Sequence, residues 1–148
     1  MPYIILSVVF NKIKRLINEV LLIIKMEAIL DSSFIISCVR KRIDFLEELK
    51  NMGFTAVVPR EVFQEIKDLR SRNKSSREDR TAIDIAMEMI EKGKVKKVGL
   101  GEMRVDDALI KKGKEGIYIA TLDRAIKRAV PNKIVILDAK NSLGIERS

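Results

Sequence analysis

The chain of 148 residues contains no histidine, no tryptophan and one cysteine, Cys38. Without histidine, neither Ser-His-Asp nor Cys-His nucleophilic catalysis can be assembled, and zinc sites of the usual Cys/His kind are out of reach. A lone cysteine also excludes an intrachain disulfide. Aromatic residues make up 5% of the chain, too few for the stacking platforms on which unpaired bases are read. "GLG" at Gly99 to Gly101 begins a nucleotide-binding fingerprint, but position 104 is Arg104 and the pattern stops. Any chemistry must therefore run on carboxylates, Lys, Tyr or metal-bound water.

Long apolar runs are scarce too. The first 25 residues, "MPYIILSVVFNKIKRLINEVLLIIK", are interrupted by Lys12, Lys14, Arg15 and Glu19, short of the roughly 18 or more apolar residues that a membrane span needs. They carry neither a basic start nor a small-residue cleavage site, so the expectation is a cytoplasmic protein without stable membrane insertion. Phe10, Ile13, Ile17, Val20, Leu21 and Ile24 recur at helical spacing and predict an amphipathic helix. Three readings stand for it: a start upstream of the true initiator Met26, a packing arm through which copies form a homo-oligomer, and a membrane-surface anchor. The expected organisation is an extension over residues 1–25 and a domain over 26–148.

What is present describes one folded domain. Hydrophobic residues account for 47% and charged residues for 34%, the profile of a packed core under an ionised surface. Lys plus Arg number 29 against 21 Asp plus Glu, a net charge of +8 that no histidine modulates near neutral pH. Such a field attracts polyanions.

From Met26 onward, strand and helix patterns alternate. "EAILD" is a strand, and "SSFIISCVRKRIDFLEELKNMG" has helical periodicity as far as Gly53. "FTAVVP" is a strand followed by the helices "REVFQEIKDL" and "REDRTAIDIAMEMIEKG". "KVKKVGL" is a less apolar, edge-type strand, "VDDALIKKG" a helix, "GIYIATL" a strand, "DRAIKRAV" a helix and "KIVILD" a last strand. Five strands separated by helices predict an α/β fold with a mainly parallel sheet and helices on both faces. Ligands in such folds sit beyond the carboxyl ends of the strands, where strand order reverses.

Carboxylates fall at those ends. Asp31 follows the first strand and Asp123 the fourth, while Asp106 and Asp107 open a helix; each alone suits a cap or a helix first turn. Glu65 lies mid-helix beside Val62, Phe63 and Ile66, which places it towards the body of the protein. Carboxylates that cluster repel one another, a divalent cation relieves that repulsion, and hard oxygen ligands suit Mg²⁺ or Mn²⁺. Arg40, Lys41, Arg42, Lys111, Lys112, Lys127, Arg128 and the basic segment "DLRSRNKSSREDR", with Arg70, Arg72 and Lys74, are candidates for a basic surface around the acids.

"AILDSSFII", "VPREVFQEI", "VDDALI" and "YIATLDRAIKR" resemble, in order, the four acidic motifs of the PIN-domain ribonucleases, over residues 26 to about 140. "DDALI" and "IATLDRAIKR" are most similar to the archaeal and eukaryotic branch that processes small-subunit ribosomal RNA precursors; toxin ribonucleases of toxin–antitoxin pairs share the scaffold. The resemblance implies strand order 3-2-1-4-5. It implies a catalytic and metal-binding set of Asp31, Glu65, Asp107 and Asp123, with Asp106 beside it and Ser32 or Thr121 as the hydroxyl near the metal. "SS" after Asp31 departs from the family's usual Thr or Asn. The implied activity is Mg²⁺- or Mn²⁺-dependent hydrolysis of single-stranded or loop RNA, leaving 5′-phosphate and 3′-hydroxyl ends. Two rivals from other classes are a phosphoacceptor receiver domain, for which Lys140 after Asp138 speaks, and a non-catalytic RNA-binding scaffold.

Overall fold

The computed structural model describes residues 2–23, 26–72 and 76–148. Lys74 and Ile24 lie outside the described residues. The described part contains a six-stranded sheet: β1 (Met26–Leu30), β2 (Phe54–Pro59), β3 (Lys96–Val98), β4 (Tyr118–Ala120), β5 (Asn132–Leu137) and β6 (Ser142–Arg147), in the order β3-β2-β1-β4-β5-β6. The first five strands are parallel, in the expected order. β6 is an addition to the five expected strands: it runs antiparallel to β5, after a turn in which Asn141 takes a left-handed φ of 49°. "SLGIER" is short and half polar, so its pattern is too weak to mark a strand; the edge of β5 supplies its pairing.

Seven α-helices are described: α1 (Pro2–Ile23), α2 (Ser32–Arg40), α3 (Phe45–Asn51), α4 (Arg60–Ser71), α5 (Arg77–Lys92), α6 (Val105–Lys114) and α7 (Arg124–Ala129). The single helix expected from Ser32 to Gly53 is two. Arg42 breaks it with a φ of 57°, and Asp44 restarts it by accepting the N–H of Glu47 at 3.1 Å, an N-cap inside an otherwise periodic stretch. α5 opens with a capping box in which Ser76 and Asp79 satisfy each other's backbone N–H groups.

Alternation along the strands sorts the core into two layers. Ala28, Leu30, Ala56, Val58, Tyr118 and Ala120 face Phe34, Phe45, Leu49, Ile66, Ile83 and Ile90 from the helices α2 to α5. Ile29, Val57 and Ile119 face Leu109, Ile126 and Val130 from α6, α7 and the residue after it. Gly113 lets α6 lie this close, since a Cβ there would run into Val130 and come within 3.1 Å of Ile119.

α1 is helical, as its periodicity predicts. Its large apolar side chains from Tyr3 to Val20 remain 48–81% exposed, so it is not seen packed as an arm. Among the described residues no helix is long and apolar enough to cross a membrane.

Candidate metal centre at the carboxyl edge of the sheet

β1 and β4 are parallel neighbours and their ends meet in register, Leu30 opposite Ala120. The ladder continues one step further, with the Asp31 N–H donating to the Ala120 carbonyl at 2.9 Å. This is the position where chain connections leave in opposite directions, to β2 on one side and to β5 on the other.

Asp31 is buried there, and its carboxylate accepts from three donors. Oδ1 takes the Ser32 N–H at 2.9 Å; Oδ2 takes the Thr121 hydroxyl at 2.7 Å and the Ser33 hydroxyl at 3.4 Å. Burial pushes its pKa above the usual carboxylate range, the three hydrogen bonds oppose that, and the negative charge of Asp106 adds to it. Thr121, also buried, accepts the Asp123 N–H at 3.1 Å through the same hydroxyl. One side chain thus links the residues that end β1 and open α7.

Glu65 joins through Ser32, whose hydroxyl donates to Glu65 Oε2 at 3.0 Å. The glutamate itself is exposed, which corrects the expectation that it lies towards the body; a single hydrogen bond, not burial, ties it to the end of β1. Asp123 caps α7, its Oδ1 accepting from Ala125 at 2.8 Å and Ile126 at 3.3 Å. Both residues of the acidic pair are exposed in the first turn of α6. The cap position is Arg104, so Asp106 is not the cap that it resembles in sequence. It lines a cleft of about 460 Å³ with Glu61, Gln64, Glu65, Asp68, Arg72, Arg104 and Val105.

Among the described residues no three acidic side chains stand close enough to form a ready metal site. The donor set nevertheless fits a hard cation: every candidate ligand is a carboxylate, the negative charge of Asp106 is felt at Asp31, and Glu61 Oε2 is buried without a hydrogen-bond partner in the cleft that holds Glu65 and Asp106. Of the five acids that the motifs mark, Asp31, Glu65, Asp106, Asp107 and Asp123, hydrogen bonds through Ser32 and Thr121 tie Glu65 and the Asp123 backbone to the end of β1, and Asp106 acts on Asp31 by its charge.

The basic residues are not gathered as their sequence positions suggest. Arg40 pairs with Asp79, Lys41 with Asp138, and Arg70 with Asp84 at 2.7 Å. Lys112 lies 3.8 Å from Glu115. Lys111, Lys112, Lys127 and Arg128 occupy the last turns of α6 and α7; these helices carry the chain back from the carboxyl edge, so the charges lie towards the opposite end. Arg42 sits at the break between α2 and α3. Of the candidates, Arg72 lines the acidic cleft, accompanied by Arg104, which no sequence motif singles out.

Ser33 and Glu61 are likewise unmarked by the motifs. Glu61, Glu65 and Asp68 recur at spacings of four and three, which puts them on one helical face; that spacing is the available signal. Ser33 has none beyond being the second serine of "SS".

No curated protein matches the chain. The family model described as a PIN-like domain matches residues 28–138, which spans all five parallel strands but the first two residues of β1. PIN domains are in general metal-dependent nucleases, and by this match the chain belongs to the PIN-like domain family.

Proposed function

We propose that the protein is a Mg²⁺- or Mn²⁺-dependent endoribonuclease that cleaves single-stranded or loop RNA in the cytoplasm, in the processing of ribosomal RNA precursors. The observation that carries this reading is the paired anchoring of two carboxylates at the β1/β4 switch point, Asp31 by Thr121 and Glu65 by Ser32. The likeness of "VDDALI" and "YIATLDRAIKR" to the ribosomal branch supports the choice of RNA.

When bound, the divalent ion supplies Lewis acidity, making hydroxide available near neutral pH and offsetting charge that builds on the phosphate and the leaving oxygen. The chain's own part is positioning. Donors on Asp31 favour its ionised, ligating form against the burial that opposes it. The Ser32 hydroxyl turns Glu65 towards the same strand end. Arg72 and Arg104 offer positive charge beside the acids, where a phosphate backbone would lie.

The test is incubation of end-labelled single-stranded RNA and its duplex with Mn²⁺, Mg²⁺ or a chelator. Cleavage of the single strand in the presence of metal is expected, with 5′-phosphate and 3′-hydroxyl products and loss of activity in Asp31→Asn. Full activity in that variant, or cleavage under chelation, would reject the assignment.

A further inference from the structure

Glu61 is absent from the ligand set that the motifs imply, yet its side chain bonds to a distant segment of the fold. It sits in the first turn of α4, and its Oε1 accepts the backbone N–H of Leu100 at 3.0 Å. Leu100 belongs to the connection from β3 to α6, which bends at Gly101 (φ 81°) and enters α6 at Arg104 without a side-chain cap. The first turn of α6 carries Asp106 and Asp107. Glu61 therefore joins the helix that holds Glu65 to the loop that delivers the acidic pair.

Local structure alone does not account for this placement. An acid in a helix first turn gains from the dipole when exposed, but Glu61 Oε2 is buried with no hydrogen-bond partner and shares the cleft with Glu65, Asp68 and Asp106. A carboxylate oxygen buried without a partner beside other acids works against the apo fold. Arg72 and Arg104 line the same cleft and offset part of that cost; a divalent cation among the acids would lower it further.

We propose that Glu61 is a positioning residue of the metal centre: it clamps the β3–α6 connection through Leu100 and so fixes Asp106 and Asp107 relative to Asp31 and Glu65. This rests on the metal-dependent nuclease reading. Partners that orient ligands without binding the ion are typically worth about 10- to 100-fold in metal affinity, and a clamp on the loop acts in that way.

The test uses the full chain and three readouts: hydrogen exchange at the Leu100 amide, Mn²⁺ affinity by calorimetry, and RNA cleavage as a function of Mn²⁺. Glu61→Ala should expose the Leu100 amide to exchange and weaken Mn²⁺ binding about tenfold or more. Saturating Mn²⁺ should then restore most of kcat. Glu61→Gln keeps an acceptor for Leu100 and should recover both amide protection and most of the affinity. If Glu61→Ala does not fold, Leu100→Pro removes the donor from the other side and should weaken Mn²⁺ binding likewise. Unchanged Mn²⁺ affinity in a folded Glu61→Ala or Leu100→Pro protein would overturn the proposal, as would an unchanged Leu100 amide in Glu61→Ala. Wild-type protein that binds no Mn²⁺ would sink the nuclease reading and the metal part of the proposal together, while exchange at Leu100 would still decide the clamp.

Discussion

The Thr121 hydroxyl donates to Asp31 Oδ2 at 2.7 Å while accepting the Asp123 N–H at 3.1 Å. Both partners lie at the carboxyl edge of the sheet, so a nearly isosteric Thr121→Val change removes two hydrogen bonds and little volume. Leaving Asp31 short of a donor should cost about 1–3 kcal/mol of stability, and Thr121→Ser should restore most of it. Urea unfolding of the three proteins checks this; equal midpoints for Thr and Val would show that the bridge contributes nothing.

The raised pKa of Asp31 makes stability depend on pH in a definite sense. Between the ordinary value of 3.8 and the higher folded value, the native state binds more protons than the unfolded chain, so stability falls as pH rises through that window and stays lower above it. In metal-free buffer at pH 7, Asp31→Asn should therefore melt higher than wild type, by roughly 2–4 °C per kcal/mol recovered. Below pH 3.8 the advantage should vanish. Mn²⁺ should stabilise wild type and not the variant; a variant that melts lower in metal-free buffer at pH 7 would contradict the burial argument.

Gly113→Ala tests how closely α6 must lie. The added methyl would stand 2.7 Å from Val130 Cβ and 3.1 Å from Ile119 Cγ1, and overpacking of this kind costs about 1–3 kcal/mol. Any displacement of α6 moves Asp106 and Asp107 with it, so Mn²⁺ affinity should fall as well. A variant as stable as wild type would mean that the helix shifts freely.

If the acidic cleft takes a phosphate backbone, Arg72→Ala with Arg104→Ala should flatten the salt dependence of RNA binding. The expected change is roughly 0.7 units for each phosphate of a single strand that the two arginines neutralise. Arg40 and Arg70, which do not line that cleft, should change the slope less. Binding curves at several salt concentrations decide between the two sets.

A chain beginning at Met26 should fold and cut RNA as the full chain does, because every proposed ligand follows α1. Loss of cleavage in a folded truncated protein would refute the proposed division between residues 1–25 and 26–148. A change in sedimentation would instead support association through α1.

The order of the parallel strands was implied by the resemblance to PIN-domain ribonucleases and not by the pattern itself, whereas the strands were legible because buried strands read as apolar runs. Asp31 and Asp123 could be placed for the same reason, each ending or following a run of that kind. The break at Arg42 was hidden because Phe34, Ile35, Cys38, Ile43, Phe45 and Leu49 keep an apolar rhythm across two helices. The motif puts weight on Asp107, whereas the charge felt at Asp31 is that of Asp106. Which of two adjacent residues in a helix first turn faces a strand end depends on packing beyond the local pattern. Glu61 and Arg104 join the site through a hydrogen bond between distant segments and a shared cleft, and beyond the shared helical face of Glu61 with Glu65 no local pattern announces them.

The two borders of the sheet also determine how copies of the protein can meet. β6 pairs along the whole of β5, and the opposite border, β3, has three residues with Lys96 and Lys97 exposed, Lys96 being held to Glu27 at 2.6 Å. Short, lysine-bearing borders make poor templates for strand addition. Crowded solutions of this protein should thus resist growth into cross-β ribbons from the β3 border.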